Sequence, residues 1–357
     1  MLIKDILTIN KNSINPQKYK EDLFCHFSLP AFDNGKTPEI QLGKEILSSK
    51  FKINKPCILF NKLNVRFKRI WNLPKVKSNY ICSSEYLPLC VINNNFIQEY
   101  MYYFLISDTV NSKLLPDTNG TSSSHQRIDP QTLLNIEVMP KTLREQQHIV
   151  NILGTIDDKI ENNENLIAKI NESTKLFYIN FCDNGFANDV LENYIENYDR
   201  QRKPLSSRER DSLEKIYPYY GATEVLDYVD NYLFDGDYLL MGEDGTVADS
   251  LGFPIVQRVN EKFWANNHTH ILKAKNDIDN NVLELILKNT NVQSIITGAV
   301  QPKINQANMN SLKIKVPNDV ETLMRIIAPY FEKRQSLLVE NKKLNELKQL
   351  YLKKFFG

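Results

Sequence analysis

The chain reads as one design written twice, and that repetition limits what it can fold into. Gly120 and Gly298 each open a segment that passes through a short apolar-alternating run into a long helical stretch ending in paired aromatics. In the first copy the run is Leu134-Asn135-Ile136-Glu137-Val138, followed by Pro140. In the second it is Leu312-Lys313-Ile314-Lys315-Val316, followed by Pro317. Asn163 and Leu166 then match Asn341 and Leu344, and Phe177-Tyr178 matches Phe355-Phe356, at a nearly constant offset. A chain repeated about a pseudo-twofold presents two similar surfaces to one ligand. A long, repetitive ligand with twofold character points to DNA.

The two helical stretches are the firmest secondary-structure expectation. Over residues 143–181 a heptad holds Ile149, Ile156, Asn163, Ile170 and Phe177 at its a positions. Leu153, Ile160, Ile167, Thr174 and Phe181 hold the d positions, which makes a coiled-coil seam. The second stretch, residues 320–355, is less regular. Its best stripe is Ile327, Tyr330, Leu337, Asn341, Leu344, Tyr351 and Phe355, interrupted by Arg334 and Lys348, with Pro329 near its start. Two such helices separated by a globular segment can pair antiparallel. Asn163 and Asn341 would then face each other near the axis and fix register. The bland alternative is two solvent-facing asparagines.

The rest is mixed. Residues 57–60, 80–82 and 87–91 read as strands and residues 96–105 as a helix. Residues 238–241 and 270–272 repeat the strands, and residues 282–287 the helix. The predicted architecture is α+β. Two similar mixed domains, residues 1–141 and 183–318, alternate with two long helices, residues 142–182 and 319–357.

Lys and Arg number 44 against 43 Asp and Glu, for a net charge of +1, so a nucleic-acid footprint must be local. Cys25, Cys57, Cys82, Cys90 and Cys182 form no CxxC pair and suit a reducing cytoplasm. No signal-peptide pattern and no run of about 18 apolar residues is present, so no membrane association is expected.

The densest basic stretch is residues 44–77. It holds Lys44, Lys50, Lys52, Lys55, Lys62, Arg66, Lys68, Arg69, Lys75 and Lys77 against Glu45 alone. Asn64 and aromatic residues interleave with the charges, which suits phosphate contact and base-edge hydrogen bonding. Its bland reading is a solvated face. Arg202 and Lys203 belong to a smaller patch. The loops His125-Gln126-Arg127 and Gln301-Pro302-Lys303-Ile304-Asn305 occupy related places in the two copies, as two readers or as two plain domain ends.

Catalytic motifs do not assemble. Gly35-Lys36-Thr37 looks like the end of a phosphate loop but has Pro30 where the first glycine belongs. No Asn/Asp-Pro-Pro-aromatic tetrapeptide, Gly-rich cofactor fingerprint or nuclease carboxylate cluster stands out. In Asn266-Asn267-His268-Thr269-His270 the histidines share a strand face and could ligate a metal, but no third ligand stands at a usual spacing. A DNA-facing loop or a core role is the stronger reading. Glu243-Asp244-Gly245 is a turn, a cation site, or a carboxylate reader of cytosine N4.

Several segments together resemble the specificity subunits of type I restriction–modification systems. Residues 28–36, 46–51 and 59–64 look like a target recognition domain of that family. Residues 140–150, with Glu145-Gln146-Gln147, look like its junction with the central helix. Tyr219-Tyr220-Gly221-Ala222-Thr223, Gly242-Glu243-Asp244-Gly245, residues 263–268 and residues 298–305 look like the second domain. The second junction departs from the first, with Pro317-Asn318-Asp319 leading to Arg325 in place of the Glu-Gln-Gln run.

The resemblance implies a noncatalytic, bipartite reader of double-stranded DNA, one half-site per domain, with the helices setting the spacer. It implies two modification subunits that carry S-adenosylmethionine and methylate adenine N6. It also implies restriction subunits that use ATP and Mg²⁺, with no cofactor or metal on this chain. The residues expected at DNA are Lys62, Asn64, Arg66, Lys68, Arg69, Lys75, Lys77, His125, Arg127, Arg202, Lys203, Thr223, Glu243, Asp244, Asn266, Asn267, His268, Gln301, Lys303 and Asn305. A coiled-coil adaptor that binds protein and no specific DNA is the competing class.

Overall fold

The structure is a computed structural model that describes residues 1–115, 126–298 and 300–357. Gly120 and His125 of the sequence reading lie outside the described residues. The chain divides into unit 1, Met1–Asn162 with Glu340–Gly357, and unit 2, Asn163–Val339. No helix among the described residues is long and apolar enough to cross a membrane.

In unit 1, β1 (Leu7–Ile9), β2 (Ser13–Ile14), β3 (Leu23–Phe27), α1 (Leu29–Asp33), β4 (Glu39–Leu42) and β5 (Lys50–Lys52) come first. β6 (Cys57–Asn61), β7 (Trp71–Leu73), β8 (Tyr80–Cys82), β9 (Tyr86–Val91), α2 (Gln98–Leu105), α3 (Asp108–Leu114) and α4 (Pro130–Leu134) follow, and then the long α5 (Leu143–Asp183) begins. Two sheets form, in the orders β1-β9-β6-β7 and β2-β5-β8-β3-β4. The aromatic run of α2 is buried and joins Ile58 and Leu89 of the first sheet in the main core. Burying such a face is what gives a short helix its stability.

Unit 2 contains β10 (Phe186–Val190), β11 (Ile195–Asn197), α6 (Ser207–Asp211), β12 (Tyr217–Tyr220), β13 (Val225–Val229) and β14 (Phe234–Gly242). β15 (Val256–Ala265), β16 (Thr269–Ala274), α7 (Asn280–Lys288), α8 (Gln306–Asn310), β17 (Lys313–Pro317) and the first part of the long α9 (Val320–Phe356), up to Val339, complete it. Its main sheet runs β11-β16-β14-β15-β12-β13, and β10 pairs with β17. α7 buries residues 282–287, as α2 buries its own run.

The long helices run antiparallel within each unit. In unit 1, Lys348 of α9 pairs with Asp157 of α5, and Glu340 with Lys159 at 3.4 Å. In unit 2, Tyr330 packs edge-on against Phe177 at 5.5 Å, and Arg334 donates to Asn171 at 3.1 Å. Of the α5 heptad, Ile149, Leu153, Ile156, Asn163, Ile170 and Thr174 are buried, whereas Ile160, Ile167, Phe177 and Phe181 are half-buried and Tyr178 and Cys182 take the buried places near the end of the helix. Asn341 is buried as well, so neither register asparagine faces solvent.

The α9 stripe needs correction. Its buried positions are Leu323, Ile327, Phe331, Arg334, Leu337, Asn341, Leu352 and Phe356; Leu344, Tyr351 and Phe355 are half-buried, and Tyr330 is exposed although its ring packs on Phe177. Arg334 belongs to the stripe because a buried acid, Glu284, meets it. Lys348 likewise joins the pairing face through Asp157. Pro329 lies inside α9, in its first third, as expected.

The repeat also needs a small correction. Residues 134–138 do not form a strand: Leu134 ends α4, and an isolated bridge joins Leu2 to Glu137. The Ile3 amide donates to the Ile136 carbonyl at 2.9 Å, and the Leu191 amide donates to the Leu312 carbonyl at 3.0 Å. Ile136 therefore corresponds to Leu312, two residues from the partner that apolar alternation suggested. A two-residue slip keeps every side chain on its face, so alternation alone does not detect it.

Candidate nucleic-acid interface

At the end of β6 the chain of unit 1 leaves the sheet through Lys62, Leu63 and Asn64. The Lys62 amide donates to the Glu85 carbonyl at 2.9 Å, and the Ile128 amide donates to the Lys62 carbonyl at 3.1 Å. The Asn64 amide donates to the Gln126 carbonyl at 2.8 Å, and Leu63 bridges Arg127. Asn64 takes a left-handed φ of 50°, and Asp129 caps α4 just beyond.

Unit 2 builds the same frame at the end of β14. The Glu243 amide donates to the His268 carbonyl at 2.9 Å, and the Ile304 amide donates to the Glu243 carbonyl at 2.9 Å. The Gly245 amide donates to the Pro302 carbonyl at 3.0 Å, and Asp244 bridges Lys303. Gly245 takes a φ of 86°, and Asn305 caps α8. Lys62 thus corresponds to Glu243, Leu63 to Asp244, Asn64 to Gly245, Glu85 to His268 and Arg127 to Lys303.

One backbone frame carries two different side-chain sets. In unit 1, Arg127 grips Glu85 with two bonds, at 3.1 and 3.0 Å. In unit 2, His268 faces Asp244 at 3.4 Å and Lys303 stands 3.5 Å from Glu243. The Asn266 amide donates to the Tyr220 carbonyl at 3.0 Å, and the Asn266 side chain accepts from the His268 amide at 2.8 Å. A Cβ on Gly242 would lie 3.6 Å from the Ala222 carbonyl oxygen, so the turn bearing exposed Thr223 adjoins the frame. Glu243, Asp244, Asn266, His268, Lys303 and Asn305 therefore come together. Lys203, Asn267 and Gln301 are exposed, and the Lys203 carbonyl accepts from the Trp264 indole at 2.6 Å.

Arg202 and Glu243 turn inward. Arg202 donates to Glu243 at 2.6 Å and to the Thr269 carbonyl at 2.7 Å. His270 is buried, with Nδ1 2.6 Å from Asp199 and Nε2 2.8 Å from the Ile304 carbonyl. Burial pushes the Asp199 carboxyl up, but His270, the Ile271 amide and Arg202 together pull it below its ordinary value. Asp199, Glu243 and His270 bring ligand atoms within 4.8 Å of one another. Arg202 already supplies a cation to this cluster, and both His270 nitrogens face acceptors. The residues present therefore do not fit a metal. His268 points to Asp244 instead, so the two histidines do not share a ligand set.

The basic stretch of unit 1 is partly answered by acids remote in sequence. Lys68 pairs with Asp108 at 2.7 Å, Arg69 with Asp33 at 2.7 Å, and Lys44 with Glu21 at 3.4 Å. Lys50 is buried, and burial lowers its pKa. Arg66, Lys75 and Lys77 are exposed, and Lys62 is half-buried. The loop after β6 is pinned from below by Asn61, which is 1% exposed. Its amide nitrogen donates to the Leu63 and Phe67 carbonyls, both at 3.0 Å. Phe67, one of the aromatics interleaved in the basic stretch, is 47% exposed in this loop, a role the sequence pattern does not single out. The sequence reading passed over Glu85, Asp33, Asp108 and Asp199, whose roles depend on partners distant in sequence.

Comparison with known proteins agrees with this repeated construction. The family model described as Type I restriction modification DNA specificity domain matches residues 1–172 and 188–349. A putative type I restriction enzyme specificity subunit from Haemophilus influenzae is 34% identical over 129 residues, 36% of this chain and 32% of that protein. The EcoprrI specificity subunit from Escherichia coli is 26% identical over 110 residues, 31% of this chain and 26% of that protein. The matched segments thus span about a third or less of these curated relatives. The crystal structure of a type I restriction–modification system S subunit from M. genitalium shares the fold. Its TM-score is 0.55 at 17% identity, covering 100% of this chain and 95% of that one. With the domain matched twice along its length, this chain belongs to the type I restriction–modification DNA specificity family.

Proposed function

We propose that this chain is the noncatalytic specificity subunit of a type I restriction–modification complex and reads a bipartite, asymmetric DNA target. Each unit takes one half-site. The observation that carries the reading is the shared loop frame with unlike tips: Lys62, Leu63, Asn64 and Arg127 in one unit, Asp244, Gly245 and Lys303 in the other, where Glu243 turns inward to Arg202. A common frame presents side chains to the duplex in one way, and different side chains read different bases. Arg66, Lys75 and Lys77 place unit 1 on phosphates, which fix position without reading sequence.

In this reading the length of α5 sets the spacer between half-sites. Two modification subunits carry S-adenosylmethionine and methylate adenine N6 after extruding the base. Restriction subunits that use ATP and Mg²⁺ join for cleavage, and the assembly works in the cytoplasm. The test compares adenine methylation in DNA from cells with and without the chain. A two-part methylated motif that vanishes with the chain supports the proposal, and an unchanged pattern overturns it.

A further inference from the structure

The loop that follows β6 carries an exposed aromatic ring that joins none of the apolar clusters of unit 1 among the described residues. Phe67 is 47% exposed, yet its backbone is held on both sides. Its amide donates to the Asn64 carbonyl at 3.0 Å, and its carbonyl accepts from the Arg69 amide at 2.8 Å and from Asn61 at 3.0 Å. Two guanidiniums lie against the ring, Arg66 at 4.7 Å and Arg69 at 4.8 Å from its centroid. These contacts hold the backbone at Phe67 before any ligand arrives, which lowers the ordering cost of binding.

We propose that Phe67 is a stacking wedge that inserts against a base step of the half-site held by unit 1. This rests on the reading of the chain as a DNA-specificity subunit. An apolar ring beside guanidiniums matches the chemistry of a duplex: the ring stacks on a base face, and exposed Arg66 moves to a flanking phosphate while Arg69 stays on Asp33. The wedge reads how easily a step unstacks, information that hydrogen bonds at base edges do not carry. The run that follows the frame in unit 2, Thr246-Val247-Ala248, has no aromatic, and Val247 is buried. Further along the same loop Leu251 is 72% exposed, so the two units present different apolar side chains here.

The experiment selects duplexes from a randomised pool with the intact wild-type chain. It then places 2-aminopurine at successive positions of the selected sites. Wild type should raise the probe's fluorescence at one step of one half-site. Phe67→Ala should abolish that signal and weaken binding roughly tenfold or more, with the salt slope unchanged. Phe67→Trp should restore both, and Phe67→Leu should restore affinity in part. Unchanged affinity and fluorescence in Phe67→Ala would overturn the wedge while leaving the specificity reading intact. A wild-type chain that selects no sequence would instead defeat the specificity reading, and the wedge with it.

Discussion

Arg334 of α9 and Glu284 of α7 form a doubly bonded ion pair, at 2.8 and 2.6 Å, with side chains 10% and 2% exposed. Lys288 adds a third bond to Glu284 at 2.7 Å, and Arg258 approaches it at 3.4 Å. The pair joins the long helix to the globular part of unit 2. Removing Arg334 takes two bonds from the buried carboxylate but leaves it Lys288 and Arg258. Arg334→Leu should therefore cost about 2–3 kcal/mol of stability in urea unfolding at neutral pH, less than a fully uncompensated buried charge. A loss below about 1 kcal/mol would mean that the pair contributes no more than a surface contact.

The same pair makes stability acid-dependent. Burial pushes the Glu284 carboxyl up, but Arg334 and Lys288 outweigh it and hold the group at about 2. A carboxyl depressed in the folded state stabilises fully above its unfolded pKa, about 4.3, and loses that contribution as pH falls toward the folded value. Unfolding midpoints should fall between pH 4.5 and 2 in wild type, and this component of the fall should be absent in Glu284→Gln.

The corresponding left-handed positions, Asn64 at φ 50° and Gly245 at φ 86°, predict an unequal mutational response. Asparagine tolerates this region and β-branched residues do not. Gly245→Asn should unfold within a few degrees of wild type, because no atom lies within 4 Å of a Cβ placed there. Gly245→Val should cost on the order of 1–3 kcal/mol by thermal denaturation. Equal melting temperatures for the two variants would contradict the shared frame.

Charge placement separates Arg66 from Lys68. Arg66 is exposed, whereas Lys68 is tied to Asp108 at 2.7 Å. If Arg66 touches phosphate, Arg66→Ala should lower the slope of log affinity against log salt by about one. Lys68→Ala should change it less, because its charge is already offset. Binding of a selected duplex across a salt series measures both.

Much of this molecule is legible before any coordinates. The α5 heptad marks a helix from Leu143 to Asp183 because an apolar seam of period 3.5 has few other uses. The α2 and α7 runs and the core strands β6, β9, β14 and β16 are equally plain. What escapes is what long-range pairing decides. Arg334 looks like a break in the α9 stripe until Glu284 is set beside it. Arg202 looks like a surface cation until Glu243 and the Thr269 carbonyl turn it inward. The shared frame is hidden because its bonds join segments far apart in sequence, Lys62 to Ile128 and Glu243 to Ile304. Its side chains share only the basic pair Arg127 and Lys303 and the helix caps Asp129 and Asn305.

The central claim, one head for one half-site, is tested most directly by single-molecule maps of adenine methylation in cells that carry the partner subunits. Wild type should be compared with a Lys62→Ala, Arg127→Ala double variant of unit 1 and an Asp244→Ala, Lys303→Ala double variant of unit 2. The account predicts that each double variant relaxes or changes one half of the methylated motif, a different half for each, while the other half and the spacer stay as in wild type. Variants that alter the same half, or both halves together, would contradict it.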